Sequence, residues 1–254
     1  MNEPLVSIIM PAYNAGKFIK EAINSVQKQN YNNWELLVCD DCSTDNTVRI
    51  VESIKKLDSR IKLLKLEENS GAAIARNTSI EKAKGVYIAF LDSDDLWNTT
   101  KLRKQIEFMM KNDVYFTCTY YKKINSVGSD LNTIVKYKER VTYNGLLLNC
   151  PGNSTVIYNS EVLGKFYISD LKKRNDYLMW IQVIKASEFL NCYPEVLSSH
   201  RLISGSLSNK KSKLIKYHWH IYRRVEKISV FKSVLLLNFW VFKGIFNKFK
   251  MFRK

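Results

Sequence analysis

The chain has 254 residues, 46% of them hydrophobic and 12% aromatic, which is enough to bury a substantial core and excludes a disordered chain. The formal net charge of +16 is unevenly distributed. Residues 210–254 contain thirteen basic residues and one acidic residue, Glu226, whereas residues 1–209 contain twenty-seven basic and twenty-three acidic residues. The basic character therefore belongs to a C-terminal tail and not to the core.

Three further features of the sequence indicate the cellular compartment of the protein. The N-terminus, Met-Asn-Glu-Pro, is acidic and enters a strand directly, so no signal peptide is expected. No apolar run reaches the roughly 18 residues that a membrane-spanning helix needs. Five cysteines at irregular positions suit a reducing cytoplasm, and no second pair or nearby histidine completes a zinc site beside Cys39 and Cys42. We therefore expect a cytoplasmic protein.

The first half of the chain alternates between β-rich runs and amphipathic helical patterns. Strands are predicted at 6–10, 36–39, 61–64 and 86–91, and helices at 18–26, 48–54 and 72–80. This alternation predicts an α/β fold, with a mostly parallel sheet flanked by helices and wound by right-handed crossovers.

The second half is less regular. The pattern predicts a helix over 102–110, a strand over 114–121, a loop-rich insertion over 122–150 and a helical tail. We predict a main domain at 1–209, with halves at 1–110 and 111–209, followed by the tail at 210–254.

Polar side chains follow three of the predicted strands. In a parallel sheet the carboxyl ends of these strands meet at one edge, where ligands bind, so the sequence predicts one shared site. The candidates are Pro11, Ala12, Tyr13 and Asn14 after the first strand, Asp40 and Asp41 after the second, and Asp92, Ser93, Asp94 and Asp95 after the fourth.

The last of these groups is the most informative. Carboxylates as close as Asp92, Asp94 and Asp95 repel one another unless a cation lies among them. Oxygen ligands of this kind suit a hard divalent ion that also holds phosphate oxygens. The same residues would also fit a plain turn with an Asx cap that opens the next helix.

The glycine pattern limits the classes of nucleotide site that the chain can form. The chain has neither Gly-x-Gly-x-x-Gly after the first strand nor a P-loop, so a dinucleotide cradle and a P-loop nucleotide site are both disfavoured. Phosphates must then be neutralised by a metal and by side chains. Asp41 could accept the imide N–H of a uracil base or bond a ribose hydroxyl, and Tyr13 could pack against the base.

Four ordered segments together resemble the family-2 glycosyltransferases, which use nucleotide sugars and have the GT-A fold. They are VSIIMPAYN at 6–14, WELLVCDDCSTD at 34–45 (with Cys42 where glycine is usual), NSGAAIARN at 69–77 and LDSDD at 91–95. Four motifs in order are a much stronger signal than any one of them. The likeness is to small bacterial enzymes that build teichuronic acid, capsule or O-antigen.

The resemblance implies a metal-dependent, inverting transfer of a sugar from a nucleoside-diphosphate sugar, most often a UDP-sugar, to a glycan acceptor that can be lipid-linked. It places Pro11, Ala12, Tyr13 and Asp41 at the nucleoside and Arg76 near the donor, where the alternative is a surface arginine. It implies that Asp92 and Asp94 hold Mn²⁺ or Mg²⁺ on the diphosphate, with Asp94 favoured for direct ligation.

The resemblance also implies that 1–209 is a catalytic domain, with a nucleotide-sugar half at 1–110 and an acceptor half at 111–209, and that residues 151–157 form a strand under the sugar.

A candidate general base, Asp176, follows from the same resemblance. Relatives usually have Glu-Asp here and a tryptophan four residues after the aspartate; Asp176 and Trp180 keep that spacing, and Asn175 replaces the glutamate. Asp176 would take the proton of the acceptor hydroxyl, or else would only cap the helix that follows. Arg201 could approach the diphosphate when a loop closes, or be a solvated arginine.

Two other functions are also compatible with parts of the sequence. A haloacid-dehalogenase-type phosphatase also places Asp-x-Asp at a strand end, although usually on its first strand and with Thr or Val where Leu96 stands here. A basic adaptor without enzymatic activity is the other, and it leaves the three polar strand ends unexplained.

The tail interleaves aromatic residues and lysines over 212–254, which is typical of a helix lying in the headgroup region of a membrane. We expect peripheral contact with the inner face of the cell membrane. The alternatives are packing on the catalytic domain and binding to nucleic acid, and we expect no nucleic-acid partner.

Overall fold

The computed structural model describes residues 3–169, 171, 174–203 and 211–252. The strands are β1 (Val6–Ala12), β2 (Trp34–Asp40), β3 (Ile61–Lys65), β4 (Tyr87–Phe90), β5 (Leu96–Trp97), β6 (Phe116–Ile124), β7 (Asp130–Val135), β8 (Arg140–Thr142), β9 (Ile157–Asn159) and β10 (Phe189–Arg201). The helices are α1 (Ile19–Gln27), α2 (Thr47–Lys55), α3 (Ala72–Lys82), α4 (Lys101–Asn112), α5 (Tyr143–Leu148), α6 (Ser160–Leu163), α7 (Asn175–Ser187), α8 (Lys211–His220) and α9 (Val230–Phe252).

The strands form one mixed sheet in the order β3-β2-β1-β4-β9-β6-β10-β5, with β7 beside β6 and β8 beside β10. The pairs β3-β2, β2-β1 and β1-β4 are parallel, so the carboxyl ends of β1, β2 and β4 lie at the same edge. This confirms the α/β prediction and brings the three polar strand ends together.

Helices cover both faces of this sheet. In α1 the buried side chains recur at helical spacing, as the sequence predicts, and they are Ile19, Ala22, Ile23 and Val26. On the opposite face Trp180 of α7 is fully buried between Phe90, edge-on at 5.0 Å between ring centroids, and Phe116, stacked at 5.8 Å. The core thus lies in two layers, one on each side of the central strands.

Two predictions for the second half are wrong. The segment 122–150 is not mainly a loop: it forms β7, β8 and α5. The strand predicted over 151–157 begins only at Ile157, because residues Asn153–Thr155 form a 3₁₀ turn. Most residues of β7 are exposed, so their sequence lacks the apolar alternation by which a half-buried strand is recognised.

The tail contributes to the core of the catalytic fold. Ile221, Tyr222, Ile228 and Leu236 belong to the same buried cluster as Trp180. The predicted domain boundary at 209/210 lies outside the described residues. Among the described residues, no helix is long and apolar enough to cross a membrane.

A buried lysine offers a test of the packing beside β6. Lys101, the first residue of α4, is fully buried; its Nζ donates to Oε1 of Gln105 at 2.7 Å and lies 4.4 Å from the centroid of the Trp97 ring. Burial lowers the pKa of Lys101 from 10.5 to about 7. Between those two pH values the unfolded chain therefore binds more protons than the folded one, so this lysine makes the free energy of unfolding rise with pH.

We expect Lys101→Met to remove that contribution, which amounts to at most about 1.4 kcal/mol per pH unit. Urea denaturation at pH 7.5, 8.5 and 9.5 measures it as the difference in slope between wild type and variant. Lys111→Met, at an exposed position of the same helix, should keep the wild-type slope. Equal slopes for wild type and Lys101→Met would show that Lys101 stays charged in the folded protein.

Candidate active site

The loops that follow β1 and β2 are tied to each other. The side-chain oxygen of Asn14 accepts from the backbone N–H of Thr44 at 2.9 Å, and the backbone N–H of Asn14 donates to the Ser43 hydroxyl at 2.9 Å. Pro11 and Ala12 are buried at the end of β1. The Tyr13 side chain beside them is 51% exposed, so its ring is free to stack on a flat ligand.

Asp40 and Asp41 are both buried but differ in what they bond. The carboxylate of Asp41 accepts the backbone N–H groups of Ser70 at 2.7 Å and Gly71 at 2.9 Å, just before α3 begins. In Asp40, Oδ2 accepts from the N–H of Ser43 at 3.0 Å, whereas Oδ1 is buried without a hydrogen-bond partner in the described part of the chain. Asp40 therefore holds an acceptor that a ligand N–H or O–H would satisfy.

Gly71 adopts φ +90°, a left-handed conformation that favours glycine, and this lets the chain turn from the Asp41 carboxylate into α3. Arg76 projects from that helix and is nine-tenths buried. Its guanidinium Nη2 lies 2.6 Å from Oδ1 of Asp92. The structure thus places the Arg76 charge at the strand end where the sequence expects the donor phosphates.

Asp94 is the neighbouring carboxylate. Burial, and secondarily the charge of Asp92, raise the pKa of the Asp94 carboxyl above its usual range. A divalent cation would relieve this repulsion, and carboxylate oxygens are the ligands that Mn²⁺ and Mg²⁺ take. The described residues contain no cluster of three or more His, Cys, Asp or Glu suited to a metal, so ligands beyond this pair would have to come from phosphate or water. Ser93, between the two, is half-buried.

The third carboxylate, Asp95, belongs to the core and does not face the site with the other two. It is fully buried, and it accepts from the Ser154 hydroxyl at 2.6 Å and from the backbone N–H of Arg201 at 2.9 Å. Burial raises its pKa, and Nε2 of His200 lies 3.6 Å from it. Asp95 therefore holds the carboxylate loop against β10.

The Arg201 side chain is buried, and it forms hydrogen bonds and an ion pair with other residues of the protein. Its Nε donates to the backbone carbonyl of Asp94 at 2.8 Å, its Nη2 pairs with Glu21 at 2.7 Å, and its side chain is 1% exposed. The alternative of a solvated surface arginine is wrong. Arg201 supports the backbone of Asp94, and its predicted approach to the diphosphate stays a prediction that would require these bonds to break.

Asp176 lies in the first turn of α7, half-buried, where the Asn175 side chain accepts its backbone N–H at 2.8 Å. One turn later, the indole N–H of Trp180 donates to the side chain of Asn153 at 3.1 Å. The next residue, Ser154, bonds the loop carrying the carboxylate pair, since its hydroxyl also accepts the backbone N–H of Asp92 at 3.1 Å.

The turn Asn153–Thr155 thus joins the helix of the candidate base to the carboxylate loop. Sequence reasoning missed Asn153 and Ser154 as site residues, because it assigned them to a strand. The strand ends themselves are correctly placed: β1, β2 and β4 bring Tyr13, Asp40 and the pair Asp92–Asp94 to one edge of the sheet.

A sheet of this topology, with acidic and aromatic groups at the carboxyl ends of its parallel strands, is the one expected of the GT-A fold. The chain belongs to the family described as Glycosyl transferase family 2, whose model matches residues 7–168. It is therefore an enzyme, and this assignment contradicts both alternatives, the phosphatase and the adaptor without enzymatic activity.

Relatives and solved structures agree with this assignment. The chain is 39% identical over 232 residues to a putative teichuronic acid biosynthesis glycosyltransferase of Bacillus subtilis, covering 91% of this chain and 92% of the relative. It is 42% identical over 248 residues to a UDP-Glc:alpha-D-GlcNAc-diphosphoundecaprenol beta-1,3-glucosyltransferase of Escherichia coli, covering 95% and 94%. Its fold matches S. aureus TarS 1-349 in complex with UDP-GlcNAc with a TM-score of 0.74, 22% identity and coverage of 93% and 71%.

Proposed function

We propose that this protein transfers a hexose or N-acetylhexosamine from a UDP-sugar to a hydroxyl of a lipid-linked glycan, with inversion of the anomeric centre, in cell-surface polysaccharide synthesis. The observation that carries the proposal is the half-buried Asp94 beside Asp92, at the strand end where Arg76 supplies positive charge. The donor and acceptor of the Escherichia coli relative, UDP-Glc and α-D-GlcNAc-diphosphoundecaprenol, support the donor and the acceptor class. The Bacillus subtilis relative, a putative teichuronic acid biosynthesis glycosyltransferase, supports the role in polysaccharide synthesis.

The uridine would lie at the ends of β1 and β2. The exposed Tyr13 ring offers a stacking surface, and the unpartnered Oδ1 of Asp40 offers an acceptor for the uracil imide, beside Asp41. The cross-tied loops of β1 and β2 hold these groups in place before the ligand arrives, which lowers the cost of ordering the site.

The transfer itself requires a base and a stabilised leaving group. Asp176 would accept the proton of the acceptor hydroxyl as that oxygen forms a bond to the anomeric carbon, while the bond from that carbon to the UDP oxygen breaks. Asp94 and Asp92 would hold Mn²⁺ or Mg²⁺, which when bound neutralises the departing diphosphate. Arg76 would add positive charge close to the same phosphates.

A donor screen tests the proposal. We expect UDP, with Mn²⁺ present, to raise the melting temperature of the protein, and GDP, CDP and dTDP to have smaller effects. A panel of UDP-sugars is then assayed for transfer to an α-GlcNAc-diphosphate that carries a short alkyl chain. Stabilisation by another nucleotide in preference to UDP would contradict the assignment of the donor.

We also propose that α9 rests on an anionic bilayer. A row of large apolar side chains, here called the outer row, runs along its exposed side at helical spacing: Phe231 is 74% exposed, Leu235 53%, Phe239 48% and Phe242 70%. The tail also carries exposed basic side chains, on α8, on the segment before α9 and on α9 itself, and they are Lys216, Arg224, Lys227 and Lys232. Exposed apolar side chains together with positive charge match the interface of a membrane rich in anionic lipid.

Substitution in the outer row tests this contact. Phe231→Ser/Phe239→Ser should weaken binding to vesicles containing phosphatidylglycerol at least about tenfold, because each phenylalanine that enters the lipid contributes about 1.5–3 kcal/mol. Cosedimentation measures the binding. Leu57→Ser, at a position 89% exposed, is the matched control and should bind like wild type. Unchanged binding of the double variant would rule out the outer row as the membrane contact.

Point substitutions are preferable to deletion of the tail. Ile228 and Leu236 on the inner side of this segment belong to the core, so truncation would destabilise the fold together with any membrane contact.

A further inference from the structure

The inner side of α9 packs against the start of α7, which carries Asp176. The guanidinium carbon of Arg174 lies 5.5 Å from the centroid of the Trp240 ring. The ring of His218, from α8, lies 4.7 Å from the Trp240 ring and 5.3 Å from the Tyr177 ring. The residue two before Asp176 and the residue directly after it are therefore both connected to Trp240.

Tyr177 and Trp180 attach α7 to the core, but the point at which the helix begins, next to Asp176, has no such anchor of its own on the sheet side. Arg174, which precedes the helix, adopts φ +61°, an uncommon left-handed conformation for a residue other than glycine, and its side chain does not cap the helix. The bond from the Asp176 N–H to Asn175 lies within the turn itself, so it does not orient the turn relative to the sheet. Packing by neighbouring elements has to supply that orientation.

His218 connects Trp240 to Tyr177 through its uncharged ring. It is 2% exposed, and neither of its ring nitrogens has a hydrogen-bond partner in the described part of the chain. Burial, with a smaller contribution from Arg174, lowers its pKa to about 3, so it carries no charge at neutral pH. It fills the space between Tyr177, Tyr222 and Trp240.

The far side of this aromatic group is anchored. The hydroxyls of Tyr177 and Tyr222 lie 3.1 and 3.2 Å from the backbone carbonyl of Leu147, which follows β8 in α5. The group is therefore held to the body of the fold at one end and to α9 at the other.

We propose that Trp240 is a positioning residue for transfer, since by packing on Arg174 and His218 it sets the placement of the first turn of α7 and thereby of Asp176. The inference rests on the proposed function only for the role of Asp176 as the base. A displacement of about 1 Å at such a group can reduce turnover by as much as about 100-fold.

The test compares Trp240→Ala with Trp240→Phe in the full chain. We expect the alanine variant to lose about 10- to 100-fold in kcat, with the most active UDP-sugar as donor and the short-chain α-GlcNAc-diphosphate as acceptor. The KM for the donor and the Kd for UDP with Mn²⁺ should stay within about twofold, since the described contacts of Trp240 are with Arg174 and His218 and not with the proposed nucleotide site. Trp240→Phe should restore most of kcat, because it keeps a ring against His218 and Arg174.

Asn238→Ala is the matched control, since this residue lies two positions before Trp240 on α9, is exposed and does not belong to the outer row. It should leave kcat with the short-chain acceptor unchanged. Wild-type kcat in Trp240→Ala would overturn the inference, and so would an equal loss of UDP binding, which would indicate general unfolding.

Hydrogen exchange gives a readout that needs no substrate. In Trp240→Ala the amides of residues 175–180 should exchange faster, while those of β1 and β4 keep wild-type rates. Unchanged exchange over 175–180 would overturn the positioning role. Full transfer by Asp176→Asn would overturn only the assignment of the base, so the two failures are distinguishable.

Discussion

Asp94→Asn is expected to reduce sugar transfer by about 10²–10³-fold, the loss typical of removing one group that stabilises charge in the transition state. Asp92 is already paired with Arg76 at 2.6 Å, so Asp94 is the carboxylate of the pair with more capacity for a cation. The amide keeps the shape of the side chain but removes the negative charge. Initial rates over a range of Mn²⁺ concentrations would show this loss, together with a much weaker response to the metal.

The variant should fold normally, because the raised pKa of Asp94 shows that its charge is unfavourable in the metal-free protein. Asp130→Asn, at an exposed position in β7 where the aspartate pairs with Lys122, is the matched control and should transfer at the wild-type rate. Wild-type transfer by Asp94→Asn, with the same dependence on Mn²⁺, would contradict the metal assignment.

Asp176→Asn is expected to lower kcat by about 10²–10⁴-fold, since proton transfer by a positioned base contributes that much to catalysis. The Kd for UDP with Mn²⁺ should not change, because the nucleotide groups lie at the ends of β1, β2 and β4 and not on α7. Single-turnover transfer with saturating donor measures the chemical step separately from binding.

Glu188→Gln removes a carboxylate at the opposite end of the same helix and serves as the control for a change of charge near α7. It should leave the rate of the chemical step unaltered. If Asp176→Asn transferred sugar as fast as wild type, another group would have to be the base.

The first half of the fold, residues 1–110, was predictable because its local and long-range signals agree. The strands β1 to β4 are short, apolar and separated by helices whose buried positions recur at helical spacing. Parallel pairing then leaves one edge at which their carboxyl ends can meet. The sequence could therefore predict that Tyr13, Asp41 and Asp94 lie at the same edge of the sheet.

The second half, residues 111–209, was not predictable in the same way. The exposed strand β7 shows no apolar alternation, and the turn Asn153–Thr155 acts through side-chain bonds to residues distant in sequence. Ser154 bonds Asp95 across 59 positions, and Asn153 bonds Trp180 across 27. No local pattern marks such contacts.

The sequence predicted the structure of the tail only in part. Its composition indicates both membrane contact and packing, and in the structure one side of α9 packs while the other is exposed. Leu236 lies in the core, whereas Phe231 is 74% exposed. A helix that is apolar on most of its circumference does not reveal from sequence alone which side the protein covers.

The most direct test of the account is a crystal of this protein grown with Mn²⁺ and UDP. We predict an anomalous peak from the metal between the Asp94 carboxylate and the diphosphate, with the uracil against Tyr13. A nucleotide bound elsewhere, or a peak distant from both Asp92 and Asp94, would contradict the account.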